Sequence, residues 1–447
     1  MTVTVNRLMK AGSIGERALK PGLAANFRIV AVAVRGIPTA VRWFYLMFIF
    51  TLPYDAADLG FMTGSLSIAK ISGLLFFAFY FFYYGFSRKR SLPHPPHAMW
   101  WFLIYMVIFV LSGLFEPVEL AENVSFSGVF TFAQLLVFFL ITSDLLKDEK
   151  MARRVLLTYA IASSLLALGM VAGLPGFSTN VGGGRVEAMG DNANASGQHM
   201  ALSLLMLIGL TLNGTFKRLT SKALLPLLAM PLLAGIVMTG SRAAVGAFII
   251  GCSVYVLPHW RSRRILISII LATVGIGAAI YMVAGNPDFM ERWLQTYYES
   301  ETSGREEIYG AAIEMISERP IFGWHPVGAF YELGTRVGLW TGRDAHNLFL
   351  DVLLGLGVMG AIPFLIGLWL CVRAAWRARS GVLGMLPLAL IATNLAASIF
   401  HTNLTWKPQW FVLALTFAAA SSKVGGSGRP SAILLARRPV KGVRRSS

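Results

Sequence analysis

The sequence predicts an all-α polytopic membrane protein with about twelve transmembrane helices and one large outward-facing loop that contains a helix. The first observation is composition: 55% of the 447 residues are hydrophobic and 14% are charged, whereas soluble domains are roughly 25% charged. The second is a series of apolar runs long enough to cross a bilayer. The third is the concentration of basic residues in every second connecting loop.

A helix needs roughly 20 apolar residues to cross about 30 Å of hydrocarbon, with some allowance for short or tilted spans. The apolar runs that meet this requirement predict the transmembrane helices. They lie at 39–53, 62–86, 98–115, 127–142, 154–173, 197–213, 222–239, 243–257, 264–284, 347–371, 382–399 and 408–422.

Lysine and arginine collect on the cytoplasmic side of membrane proteins. Here they collect in both terminal segments and at residues 88–90, 147–154, 217–222, 261–264 and 373–379. The intervening loops are predicted to face outward, at residues 55–59, 116–122, 176–196, 240–242, 285–345 and 401–409. The formal net charge of +17 therefore indicates orientation rather than nucleic-acid binding, and both termini are predicted to be cytoplasmic.

Three regions follow from this pattern. Residues 1–38 form a basic cytoplasmic arm without the compact apolar core and cleavage site of a removable signal peptide. Residues 39–422 form the transmembrane domain, with 285–345 as its large outer loop. Residues 423–447 are rich in Gly, Ser, Pro and Arg, which predicts a disordered basic cytoplasmic tail near anionic headgroups.

The large outer loop is predicted to contain one helix. The stretch Ser-Gly-Arg-Glu at 303–306 has the spacing of a capping box, and Pro320 marks the end of the helix.

Cys252 and Cys371 lie near the predicted cytoplasmic ends of apolar spans. Reducing conditions there disfavour a disulfide, so both cysteines are predicted to be structural and inert.

Three arginines in the outward segments oppose the orientation bias. Arg185 follows a run of three glycines, whose N–H groups can approach a ligand, while Arg242 and Arg305 are predicted to lie at helix N-termini, which favour anions. The planar guanidinium donates two parallel hydrogen bonds to phosphate oxygens and stays charged at physiological pH. Together the three predict a diphosphate site, and the alternative for each is a snorkelling or salt-bridged interface residue.

His346 is the candidate base. It lies in Asp344-Ala-His346-Asn347, at the predicted outer mouth of the tenth helix. The positive end of the helix dipole disfavours a second positive charge, and a neutral imidazole can accept a proton from a sugar hydroxyl. The alternative is an interfacial histidine that only donates and accepts hydrogen bonds.

Other histidines are weaker candidates, because no HExxH motif or Cys/His spacing surrounds His199, His325 or His401. The outward segments also lack the cluster of carboxylates that a hard metal ion needs. No bound metal and no cofactor are predicted.

The combination of these motifs resembles the O-antigen ligase and Wzy-type polymerase superfamily of integral-membrane glycosyltransferases, best over residues 185–360. The residues that match the family pattern are Ser241-Arg242, Gly304-Arg305, the glycine turn at 323–330, His346-Asn347, and Gly355, Gly357 and Gly360. Arg185 followed by Asp191-Asn-Ala-Asn194 is also similar, with Asn194 and Asn347 as supporting residues. Tyr309 departs from the pattern, which often has Trp at that position.

The resemblance implies transfer of a glycan from an undecaprenyl-diphosphate carrier to an acceptor hydroxyl, on lipid A-core or a similar molecule. The reaction would be metal-independent and inverting, at the periplasmic face of the bacterial inner membrane. Arg185, Arg242 and Arg305 would neutralise charge on the diphosphate leaving group, and His346 would either deprotonate the acceptor or only position it.

Two alternatives remain open. A Wzy-type polymerase of O-antigen or exopolysaccharide units shares the same motifs and differs in its acceptor. A transporter or flippase of lipid-linked or anionic solutes would use the arginines as an outer site of binding, but it calls for polar residues near mid-membrane, and few of the predicted spans carry any.

Overall fold

The computed structural model describes residues 38–56, 67–86, 93–115, 118–181, 185–216, 219–256, 305–402 and 404–426. The chain divides into two compact units, residues 1–43 and 44–447. Of the first unit, the described part is the start of helix α1. The predicted span at 264–284, the tail from 427 and most of the N-terminal arm lie outside the described residues.

Most of the described residues lie in α-helices. In chain order they are α1 Thr39–Thr51, α2 Ile68–Phe86, α3 His97–Ser112, α4 Val118–Leu145, α5 Glu149–Val171, α6 Ala193–Leu212, α7 Leu219–Thr239, α8 Arg242–Val256, α9 Arg305–Glu318, α10 Pro326–Arg336, α11 Leu348–Ala378, α12 Leu386–Ala397 and α13 Lys407–Gly426. Apart from α9 and α10, each of these helices falls on one of the predicted spans. The all-α assignment is therefore confirmed in its main part.

Several of these helices can cross a membrane by length and composition. In the described part of the chain five segments qualify, namely Ile68–Gly85, Gly128–Leu145, Glu149–Val171, Ala193–Leu212 and Leu348–Ala378. The count of twelve and the outward position of the large loop stay predictions. Helix ends also differ from prediction: α4 begins at Val118 and α13 ends at Gly426, because polar residues continue a helix that an apolar run has started.

Side-chain caps explain where three helices begin. Asp148, Asn192 and Asn347 each accept a hydrogen bond from a backbone N–H in the first turn of α5, α6 and α11. Such caps satisfy donors that have no partner within the helix. The Asn347 cap, one residue after His346, fixes the start of α11 at Leu348.

Apolar helix faces pack into a core that is rich in aromatic rings. Helices α3 and α13 pack against α11, while α6 contacts α5, α7, α8 and α12. Trp410 of α13 is fully buried and meets the rings of Phe102 and Phe132 edge-on, with centroids 5.0 and 5.2 Å away. This packing brings the predicted outer ends of α6, α8, α11 and α12 close to one another.

A two-stranded hairpin departs from the all-α prediction. Strands β1 Ser178–Asn180 and β2 Val186–Ala188 pair antiparallel, with Thr179 opposite Glu187. The hairpin lies in the predicted outer loop between α5 and α6, where the sequence has no helical periodicity. It places Arg185 immediately before β2.

The helix predicted in the large loop is confirmed as α9, which begins at Arg305 and ends before Pro320. The shorter α10 was not predicted, because the sequence around Pro326 resembles a glycine turn. His325 caps α10 and Pro326 occupies its first turn. Arg336 of α10 forms ion pairs with Glu318 of α9 at 2.6 Å and with Glu332 at 2.8 Å, so the two helices are tied together.

Helix α11 is broken at Gly357, whose φ is +56°. The turn that follows α9 fits into the break: the N–H groups of Val358 and Met359 donate to the carbonyls of Pro320 and Ile321 at 2.9 and 3.1 Å. A Cβ on Gly357 would lie 2.4 Å from the Ile321 oxygen. Glycine is therefore required there by both φ and space, and the loop is anchored to α11.

Candidate functional site

Arg185 is held by two neighbouring elements. Its Nη2 donates to Oδ1 of Asn194 in the first turn of α6 at 3.2 Å, and its Nε donates to the carbonyl of Thr239 at the end of α7 at 3.4 Å. The side chain is half-buried. These contacts fix the plane of the guanidinium, which is the property that bidentate binding of phosphate needs.

Ser241 and Arg242 form the turn into α8. The Ser241 hydroxyl donates to Oδ1 of Asn194 at 2.9 Å and accepts from the N–H of Ala244 at 3.2 Å, so it caps the helix and joins it to α6. Arg242 is the first residue of α8, as predicted, and is half-buried. Asn194 therefore bridges Arg185 and Ser241, and we call Arg185, Asn194, Ser241 and Arg242 the arginine cluster.

Arg305 begins α9 and lies over the turn that follows α12. Its Nη2 donates to the carbonyl of Phe400 at 3.3 Å, and its guanidinium carbon lies 5.4 Å from the centroid of the Phe400 ring. Tyr309, one turn further along α9, donates to the carbonyl of Ile399 at 3.3 Å. Arg305 is thus held at the mouth of α12, whereas Gly304, its predicted supporting residue, lies outside the described part of the chain.

His346 lies immediately before the cap of α11. Its backbone has φ +49°, a conformation uncommon for a residue with a Cβ. Its Nδ1 lies 3.0 Å from Oδ1 of Asp344. The two residues form a carboxylate–imidazole pair, and a ring that donates from Nδ1 in its neutral form leaves Nε2 able to accept a proton.

The electrostatics of Asp344 are consistent with this pair. Burial alone would raise the pKa of Asp344, but the hydrogen bond and charge of His346, with smaller contributions from Thr402 and His401, hold that pKa below its ordinary value. The carboxylate is therefore ionised at physiological pH and stabilises positive charge on the imidazole.

A second carboxylate completes the surroundings of His346. Asp351, in the first turn of α11, accepts from the N–H of Ala345 at 2.8 Å and from the hydroxyl of Thr402. His401 lies in the same region, where burial, together with the charges of His346 and Arg305, lowers its pKa to about 4 although Asp344 opposes the shift. We call Arg305, Asp344, His346, Asp351, His401 and Thr402 the histidine cluster.

Hydrogen bonds join α12 to both α6 and the start of α11. Gln198, one turn after Asn194 on α6, donates to Asn394 of α12 at 2.7 Å. The N–H of Ser398 donates to the carbonyl of Asn394, and the carbonyl of Ser398 accepts from the N–H of Leu348 at 2.9 Å. Helix α12 is thereby bonded to α6 through the Gln198–Asn394 side chains and to the start of α11 through the Leu348–Ser398 backbone. Gly197 admits the close approach of α6 to Ser241.

Sequence reasoning treated His199 of α6 as a weak candidate and did not predict its buried contact with Tyr159 of α5. The hydroxyl of Tyr159 lies 2.6 Å from Nδ1 of His199, whose Nε2 lies 3.7 Å from Oδ2 of Asp191. Asp191 comes just before the cap of α6, and burial, with repulsion from Asp55 and Glu187, raises its pKa to about 7. The Asp191-Asn-Ala-Asn194 motif pointed to Asp191, but the contact of its neighbour His199 with Tyr159, 40 residues away, depends on the packing of α5 against α6.

His325, treated as a weak candidate, lies away from both clusters. It caps α10, where Nδ1 accepts from the N–H of Val327, and burial lowers its pKa to about 4.

Within the described ranges no group of three or more His, Cys, Asp or Glu side chains is arranged to hold a metal ion. The cysteines Cys252 and Cys371 are both free thiols.

A match to a known protein family covers part of the candidate site. Residues 226–365 match the family model described as O-antigen ligase, and this range includes Ser241, Arg242, Arg305, His346 and Asn347, while Arg185 and Asn194 precede it. No curated protein matches the chain. Members of the matched family are membrane glycosyltransferase-like enzymes. The match over residues 226–365 therefore confirms the resemblance of this chain to the O-antigen ligase and Wzy superfamily.

Proposed function

We propose that this chain is an O-antigen ligase-like glycosyltransferase of the bacterial inner membrane. It moves a glycan from an undecaprenyl-diphosphate carrier to an acceptor hydroxyl, on lipid A-core or a similar molecule, at the periplasmic face. The observation that carries the proposal is the histidine cluster, which places a cationic Arg305 and an oriented His346 at the mouths of α11 and α12. The matched family domain supports the same reaction class.

The arginine cluster supplies the donor side of the proposal. When the glycosyl bond breaks, negative charge grows on the diphosphate, and fixed guanidinium groups stabilise that charge without reorganising. Arg185 is fixed by Asn194 and Thr239, and Arg242 adds its charge to the N-terminus of α8. Arg305 would contribute from the side of the outer loop.

His346 supplies the acceptor side. Asp344 accepts from Nδ1, so Nε2 takes the proton of the acceptor hydroxyl while the hydroxyl oxygen bonds to the anomeric carbon. The bond from that carbon to the diphosphate oxygen breaks, and its electron pair leaves with the diphosphate. A single displacement of this kind inverts the anomeric configuration, and the steps use protein side chains only.

The membrane arrangement follows from the same proposal. Both termini would be cytoplasmic, and α9 and α10 would lie over the periplasmic face. Charge alternation in the loops supports this orientation. The donor, the acceptor and membrane lipids are the partners that such a site needs.

The test is reconstitution of the purified full-length protein in vesicles with a synthetic undecaprenyl-diphosphate oligosaccharide and lipid A-core. One glycan added per lipid A-core molecule supports ligation. A ladder of longer lipid-linked glycans in the absence of lipid A-core would instead support polymerisation. Movement of the donor across the bilayer without any new glycosidic bond would show a transporter and overturn the proposal.

A further inference from the structure

An apolar pocket of about 680 Å³ lies beside α11, apart from both clusters. Its walls come from the end of α3, from the turn at 319–325 and from Met359. None of the residues in the arginine or histidine cluster lines it. Its volume falls within the roughly 300–1,000 Å³ typical of ligand sites.

The pocket contains a buried donor. His325 is 3% exposed, and its Nε2 has no hydrogen-bond partner among the described residues. Because Nδ1 accepts from the N–H of Val327, the proton of the neutral ring lies on Nε2. Gly113 lies beside this atom, and a Cβ added there would be in van der Waals contact with Nε2 at 3.5 Å. A buried N–H group without an acceptor indicates that a ligand oxygen belongs there.

The rim of the pocket combines a cation with exposed apolar side chains. The guanidinium of Arg319 lies 3.9 Å from the centroid of the Trp324 ring, which holds it beside the opening. Leu111, Ile321 and Phe322 are 51%, 56% and 70% exposed. Large apolar side chains exposed together at a helix end that is predicted to reach the membrane surface indicate contact with lipid.

We propose that this pocket binds one hydrocarbon chain of an anionic membrane phospholipid, with an ester carbonyl accepting from Nε2 of His325 and the phosphate paired with Arg319. From its depth to its rim, the site presents apolar walls, then a hydrogen-bond donor, then a cation. An anionic phospholipid presents the complementary groups in the same order: the hydrocarbon chain, the ester carbonyl and the phosphate. A soluble anion would leave the apolar walls unused, and a pure hydrocarbon would leave His325 and Arg319 unused.

The position of the pocket gives the lipid a structural role. The turn at 319–325 that lines it also donates and accepts the hydrogen bonds that close the break in α11 at Gly357. Trp324 of this turn donates from its backbone to the carbonyl of Leu354 at 2.8 Å. A bound lipid chain therefore packs against the segment that holds α9 and α10 on α11.

The experiment uses the full chain in phosphatidylcholine nanodiscs that contain a small fraction of phosphatidylglycerol with a diazirine in one acyl chain. After irradiation, mass spectrometry locates the labelled residues. We expect labelling to concentrate on Ile108, Leu111 and Met359 and to be reduced by unlabelled phosphatidylglycerol more than by phosphatidylcholine. Ile108→Trp, which fills the pocket, should lower this labelling about tenfold.

Val107→Trp is the matched control, because Val107 is the neighbouring residue, is 48% exposed and does not line the pocket; it should leave labelling unchanged. Arg319→Gln should remove the preference for phosphatidylglycerol. His325→Asn, which still tolerates a positive φ and can cap α10, should weaken labelling because it lacks Nε2.

Two results would overturn the proposal. One is labelling spread equally over exposed helix faces and unaffected by Ile108→Trp. The other is displacement of the probe by undecaprenyl phosphate but not by phosphatidylglycerol, which would assign the pocket to the carrier lipid of the donor. The competition measurement needs only the parent protein, so it decides the question even if a variant fails to accumulate.

Discussion

Asp344 and His346 lie on one short segment before α11, with Oδ1 of the carboxylate 3.0 Å from Nδ1 of the imidazole. Two sets of hydrogen bonds hold the segment in place. The N–H of Ala345, between them, donates to Asp351, and Asn347 caps the helix. The backbone of His346 is bent to φ +49°, so the ring direction is set by the fold rather than by its own rotamers alone.

His346→Ala should abolish most glycan transfer while leaving donor binding intact. A general base contributes typically about 10²- to 10⁴-fold, so slow residual transfer is expected. The measurement compares transfer rate, membrane abundance and donor affinity in one preparation. His97→Ala, an exposed histidine at the start of α3, is the control. Transfer at the parental rate would show His346 to be structural, and loss of donor binding would move it to the diphosphate site.

Asp344→Asn should lower kcat with little change in KM for the donor. The amide can still accept a hydrogen bond but cannot stabilise the charged imidazole, and such changes in carboxylate–histidine pairs cost roughly 10- to 10⁴-fold. Asp344→Glu keeps the charge and should recover part of the loss. If KM rises instead while kcat is kept, Asp344 acts on donor binding and the positioning role is wrong.

Arg305→Lys should impair transfer far more than it changes protein level in the membrane. Lysine keeps the charge but loses the planar fork that binds phosphate oxygens in pairs and reaches the Phe400 carbonyl. Arg154→Lys, an exposed change in the second turn of α5, on the predicted cytoplasmic side, provides the comparison. Full activity in the Arg305 variant would show that Arg305 makes only a structural contact at the interface and has no role in transfer.

Asp191→Asn should stabilise the protein at neutral and higher pH. Burial raises the pKa of Asp191 from 3.8 to about 7, so the folded state binds a proton that the unfolded state has released, and stability falls as pH rises between these values. The gain in the variant should therefore grow from pH 5 to pH 7 and then level off, with an upper limit of about 4 kcal/mol. Thermal unfolding in detergent across this pH range measures it. A gain that is independent of pH would contradict the assignment.

Gly357→Ala should destabilise the protein and loosen the large loop. The alanine would adopt a positive φ and its Cβ would meet the Ile321 carbonyl at 2.4 Å; strained positions of this kind cost about 1–3 kcal/mol. Gly246→Ala in α8 is the control, since an added Cβ there meets nothing within 4 Å and alanine favours a helix. Limited proteolysis after 318 should accelerate only in the Gly357 variant.

The sequence alone determined the helices and several of their ends. Apolar runs, the capping-box spacing at 303–306 and the proline at 320 are local signals, because a helix is built from contacts within four residues. Residue types and positions likewise singled out Arg242, Arg305 and His346 as candidates, and their roles stay predictions. The short α10 and the hairpin around Arg185 were not predicted, because elements of this length are too short to show the hydrophobic periodicity of a helix or a strand.

Only the tertiary structure decided which side chains meet. Asn194 joins Arg185 to Ser241, Arg305 lies on the turn at 398–402, and Asp191 approaches His199 beside Tyr159. The partners in the Asn194–Ser241, Arg305–Phe400 and Tyr159–His199 contacts are 47, 95 and 40 residues apart. These contacts depend on how the helices pack, so no local pattern encodes them. The pKa of Asp191 depends in turn on that packing, because burial is its main cause.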